Sequence, residues 1–87
     1  MSRKPRKPKA NAADKAIGQR IKYIRTELSV SQEQLGKALG ITFQQIQKYE
    51  NGHNRISASQ LKVAADFLGV PITWFLEHPQ TGWRSTV

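Results

Sequence analysis

Three stretches of this chain open on a serine or threonine that stands three residues ahead of a glutamine, and a glycine closes each of them. The pairs are Ser31 with Gln34, Thr42 with Gln45 and Ser57 with Gln60; the closing residues are Gly40, Asn51-Gly52 and Gly69. A hydroxyl at the first position accepts from the backbone N–H three residues on, and glutamine there reaches back to the first residue's own N–H, which starts a helix. A glycine takes up the left-handed conformation that ends one. Chain punctuated in this way is cut into short helices. No stretch alternates apolar and polar residues as a strand would, so the expected fold is all-α.

The apolar residues complete that division. Ile17, Ile21, Ile24 and Leu28 form a single stripe, with Asp14 in the first turn, and predict a first helix over 13–28. Leu35, Ala38 and Leu39 give the second helix its buried face, and Gly36 within it points to close backbone packing against the third. Ile46 and Tyr49 turn the third helix inward. Gln44, Gln47 and Lys48 share its opposite side, with Phe43 at the leading edge. Leu61, Ala64, Ala65 and Leu68 repeat the helical spacing in the fourth. Pro71 suits the first position of a short fifth helix holding Ile72, Phe75 and Leu76. The reading is one five-helix domain over 13–78, a basic arm over 1–12 and a tail over 79–87.

At 87 residues the chain has room for one small core. Its charge is uneven: five of the eight net positive charges come from Arg3, Lys4, Arg6, Lys7 and Lys9. The arm alternates these with prolines and lacks large apolar groups, so it is expected to be disordered when free. A basic arm on a mildly basic body suits a polyanion, nucleic acid or an acidic membrane face. The membrane is disfavoured, since no basic amphipathic helix adjoins the arm and no apolar run approaches the ~20 residues that span a bilayer. Absence of cysteine excludes disulfides and thiolate metal sites. His53 and His78 lack a matched ligand cluster, so no metal or cofactor is expected. No nucleophile–base pair or phosphate-binding glycine loop supports an enzyme. With no secretory signal, the expected location is the cytoplasm of a prokaryotic cell.

The second and third helices with their glycine turn match a helix-turn-helix unit. In order and spacing, Ser31-Gln32-Glu33-x-Leu35, Leu39-Gly40-Ile41-Thr42, Ile46-x-x-Tyr49-Glu50-x-Gly52, Leu68-Gly69-Val70-Pro71 and Trp74-Phe75-Leu76 resemble the Cro/repressor-type helix-turn-helix proteins, the lambda-repressor-like DNA-binding fold. The likeness runs from about Ile17 to Leu76. It departs at Gly36, where such proteins carry alanine, and at Phe43, where relatives place a polar residue.

The resemblance implies that the third helix enters the major groove of double-stranded DNA. Gln44 is the first candidate base reader, because glutamine pairs bidentately with adenine N6 and N7. Lys48 takes guanine or a phosphate, and Gln47 stands at the edge of the same side. Phe43 packs on a thymine methyl or completes the core beside Ile46. Gln32 resembles the position that meets a phosphate and braces the glutamine of the third helix, Gln44. Thr42, Asn51, Asn54, Arg55 and Arg20 are further candidates for the sugar-phosphate backbone, and Gln45 for capping its own helix. The arm follows a groove, binds phosphates or stays a solvated tail. By resemblance, Arg25 and Glu50 form a partly buried ion pair that serves the fold. The function implied is a transcriptional regulator, a repressor acting as a homodimer on a two-fold operator, with Trp74, Phe75 and Trp83 as dimer contacts or, for the first two, core residues. The alternative is an antitoxin that also neutralises a toxin protein, with His78–Val87 as the toxin-binding segment.

Overall fold

The structure, a computed structural model, describes residues 10–76. The arm residues Arg3, Lys4, Arg6, Lys7 and Lys9, and His78 and Trp83 of the tail, lie outside the described residues. The described chain forms five helices and no strand: α1 (Ala12–Glu27), α2 (Gln32–Leu39), α3 (Phe43–Glu50), α4 (Ala58–Leu68) and α5 (Ile72–Leu76).

The expected punctuation operates in detail. Ser31 and Gln34 form a reciprocal capping box, with Ser31 Oγ accepting from Gln34 N at 2.9 Å and Ser31 N donating to Gln34 Oε1 at 2.7 Å. Thr42 and Ser57 accept from the backbone N–H of Gln45 and Gln60, both at 3.2 Å. Gly40 and Gly69 close α2 and α4 at φ 73° and 77°, where a Cβ would be strained.

The first helix starts earlier than expected. Asn11 caps it, and Asn11 and Asp14 exchange backbone–side-chain bonds in a fourth signature, a full capping box. Asn11 and Ala12, placed by the sequence at the end of the arm, therefore form the cap and first residue of α1.

The helices meet around Ile21, Leu35, Leu39, Ile46, Leu61, Ala64, Ala65, Leu68 and Phe75. α2 packs on α3 and α4, and α1 on α3 and α5. Burying one leucine or phenylalanine is worth about 1.5–3 kcal/mol, so this cluster supplies the main force holding α3 in place. Two glycines let backbones close up. A Cβ on Gly36 would come within 2.8 Å of Ile41 O, in the turn before α3. One on Gly18 would collide with the carbonyl oxygen of Tyr49, so α1 crosses the end of α3 at backbone contact.

Phe75 is 1% exposed and closes the monomer core; of its two expected places it takes the one inside the fold and not the dimer contact. Trp74 is half-buried beside it, edge-on to Phe75 and stacked with Tyr23 at 6.3 Å. Among the described residues no helix is long and apolar enough to cross a membrane, and no cluster of His, Asp or Glu could hold a metal.

Candidate nucleic-acid interface

α3 is held by its inner side, with Ile46 and Glu50 buried, and its outer side is open. Phe43, Gln44, Gln47, Lys48 and the C-cap Asn51 are all exposed. Gln44, Gln47, Lys48 and Asn51 fall at i, i+3, i+4 and i+7, which places them on one helical face. That face carries amides and one ammonium and no carboxylate among its exposed groups. It therefore offers donors and acceptors matched to base edges, with positive charge for phosphate. Phe43 is 37% exposed and stands outside the buried cluster, beside a shallow apolar groove with Ile41 and Glu33, so it does not complete the core beside Ile46.

Behind the face lies an ion pair. Arg25 grips Glu50 with two parallel bonds, Nε to Oε2 at 2.6 Å and Nη2 to Oε1 at 3.0 Å, and donates from Nη1 to Val30 O at 2.8 Å. The two side chains are 10% and 1% exposed. The pair ties α1 to the end of α3 and to the loop before α2. With Glu50 so held, the Glu50 carboxylate also accepts from Gln32 Nε2 at 3.0 Å, and Gln32 Oε1 accepts from Gln47 Nε2 at 3.2 Å. Gln32 thus braces Gln47, one turn beyond the Gln44 expected from the sequence. The correction is geometric: Gln32 opens α2 alongside the last turn of α3, because the buried Glu50 draws its amide there.

The flanking residues divide. Thr42 Oγ1 uses a lone pair to cap α3, which leaves its O–H able to donate outward. Gln45 does not complete a reciprocal box with Thr42; its amide reaches Asn54 Oδ1 at 3.5 Å. Arg55 Nε pairs with Asp14 Oδ2 at 3.1 Å, with its side chain 44% exposed, so the loop after α3 is fastened to the start of α1. This fastening has no signature in the sequence. The Asn11–Asp14 box does have one, the asparagine three residues ahead of an acid.

Arg20 is the clear misplacement. It is 5% exposed, donates from Nη1 to Trp74 O at 2.6 Å and lies over the Trp74 ring at 5.4 Å. This burial commits the guanidinium to the α1–α5 seam and leaves little of it to meet a phosphate.

Two short helices at a glycine turn, with the second presenting a polar, acid-free face, define a lambda-repressor-like helix-turn-helix domain. Comparison with known proteins agrees. Residues 21–75 match the helix-turn-helix family model. An HTH-type transcriptional regulator of Sinorhizobium medicae is 54% identical over 71 residues, 82% of this chain and 51% of the relative. Among solved structures, the restriction-modification controller protein C.AhdI from Aeromonas hydrophila has a TM-score of 0.70 at 25% identity, covering 75% of this chain and 98% of that one. The biofilm master regulator SinR, solved in complex with DNA, has a TM-score of 0.63 at 29% identity, covering 70% of this chain and 98% of that one. The chain belongs to the Cro/repressor-type helix-turn-helix family of DNA-binding transcriptional regulators. It spans about half the length of the curated relatives it matches.

Proposed function

We propose that this chain is the sequence-specific DNA-binding part of a transcriptional repressor that binds a two-fold operator as a homodimer in a bacterial cytoplasm, with α3 in the major groove. The observation that carries the reading is the exposed face of α3, where Gln44, Gln47 and Lys48 stand together with no carboxylate among them. Gln44 and Gln47 meet base edges, Lys48 a guanine or phosphate, and Phe43 a thymine methyl. Thr42 and Asn51, at the two ends of α3, and Asn54 and Arg55 in the following loop donate to phosphates. Arg55 uses one of its five donors on Asp14, and the others turn to DNA. Gln32 has both ends of its amide engaged, so a phosphate there is met by the backbone N–H groups at the start of α2.

One such domain reads only a few base pairs. Two half-sites one helical turn apart, ~34 Å, give a usable operator. With Phe75 in the core, the proposed dimer surface moves to apolar side chains that remain exposed: Val63 and Phe67, one turn apart on α4, and Leu76. Trp74, half-buried, stands two residues before Leu76. The antitoxin alternative gains nothing from the described residues, and the tail it needs lies outside them.

Selection of bound sequences from a random duplex pool tests the reading. An enriched sequence with two related half-sites supports it, and a pool that stays unenriched while the protein binds duplex at low salt refutes it. Deleting residues 1–9 removes five positive charges. If the arm tracks phosphates, the slope of log K against log salt becomes shallower by about 0.9 for each phosphate that the arm neutralises. An unchanged slope makes the arm an idle tail.

A further inference from the structure

We propose that Gln47 reads adenine as an amide whose polarity is preset by Glu50 acting through Gln32. The inference rests on the DNA-binding reading above and assigns one side chain of that site its base. Its ground is the line of side-chain bonds from Arg25 to Glu50, Gln32 and Gln47, at 2.6, 3.0 and 3.2 Å.

Each link dictates the next. A carboxylate gripped by a guanidinium has only lone pairs to offer, so it accepts from Gln32 and turns that NH2 group inward. The carbonyl oxygen of Gln32 then points outward, toward α3. A carbonyl oxygen accepts, so Gln47 must present its Nε2 to it. Reversing the Gln32 amide would set its carbonyl against the Glu50 carboxylate and NH2 against NH2, which a half-buried position does not tolerate. An ordinary surface glutamine can flip end for end at little cost. This one is held in one sense by a buried charge two side chains away.

The brace uses one of the two hydrogens on Gln47 Nε2. One N–H and the Oε1 acceptor remain on the exposed face. Adenine presents N6–H and N7 in the major groove, a donor beside an acceptor, and this pair meets Gln47 with both bonds made. Guanine presents two acceptors there, and thymine an acceptor and a methyl group, so neither can engage the oxygen; cytosine offers the oxygen its N4–H but has no acceptor of its own for the amide N–H. No such line of bonds reaches Gln44 among the described residues. Gln32 and Glu50 are positioning residues, and Gln47 is the group that touches the base.

The test uses the whole chain and a selected duplex. Parallel selections with the wild type, Q47A and Q32A should show one position where the wild type demands adenine and both variants accept other bases. Replacing that adenine by 7-deazaadenine, which lacks the N7 acceptor, should weaken wild-type binding roughly tenfold and leave Q32A nearly unaffected. Thermal unfolding of Q32A checks that its fold is kept; if it is not, the 7-deazaadenine effect on the wild type, absent in Q47A, decides alone. Retention of the adenine preference by folded Q32A, a position that depends on Gln47 but prefers another base, or wild-type indifference to 7-deazaadenine each overturns the proposal while leaving sequence-specific binding intact. A pool with no enriched sequence overturns the parent reading instead, and this one with it.

Discussion

Two arginines on α1, Arg20 and Arg25, are buried to nearly the same degree, at 5% and 8% exposure, and do opposite kinds of work. Arg20 faces α5, where the carbonyl oxygen and ring of Trp74 receive it. Arg25 faces α3, where it grips Glu50, and Glu50 passes the contact on to Gln32 and Gln47. One region closes the fold. The other joins the fold to the exposed helix face. The same residue type at the same depth secures a helix seam in the first case and supports the candidate site in the second, and what separates them is the partner. A carboxylate has lone pairs to spare for a further donor that leads outward. The bonds that Arg20 makes with Trp74 lie in the α1–α5 seam and brace no group on the face of α3.

The largest effect should come from breaking the Arg25 side. Glu50→Ala leaves a guanidinium buried without its carboxylate and should lower unfolding stability by about 3–5 kcal/mol in denaturant titration. Arg25→Met combined with Glu50→Leu should cost less than the two single changes together, because no lone charge is left buried. A strictly additive double variant would show the pair to be energetically idle. Arg20→Ala comes next, at about 1.5–3 kcal/mol for a charge-assisted bond in a packed seam. It should leave base preference untouched. A change in the selected sequence on Arg20→Ala would erase the distinction between the two arginines. The smallest stability effect belongs to Gln32→Ala, about 0.5–1.5 kcal/mol, since its bonds lie at the edge of the core. A loss as large as that of Glu50→Ala would make Gln32 a structural residue first.

The same comparison shows what could be read in the sequence. Helix ends were legible because caps are local: Ser31 with Gln34, Thr42, Ser57, Gly40 and Gly69 act within a few residues of themselves. Asn11 with Asp14 carried an equally local signal, in a stretch that otherwise looks like the end of a basic arm. Arg25 with Glu50 was accessible through resemblance, as a charge of each sign beside an apolar stripe. Arg20 was not, because the Trp74 carbonyl and ring that receive it carry no complementary charge to look for. The brace from Gln32 landed on Gln47 and not on Gln44 for a related reason. Sequence spacing puts both glutamines on the outer side of α3, and only the position of buried Glu50 selects between them. Phe43 stayed outside the core through its place at the first residue of α3, which the apolar pattern alone left open.

Whether the exposed face of α3 reads bases is tested most directly at Gln44. The measurement is the affinity of Gln44→Ala, beside the wild type, for a selected duplex and for an unrelated duplex of the same length and salt. Base reading predicts a loss of about 1–3 kcal/mol on the selected duplex, relaxed preference at one base pair, and little change on the unrelated one. Equal weakening on both duplexes would contradict it.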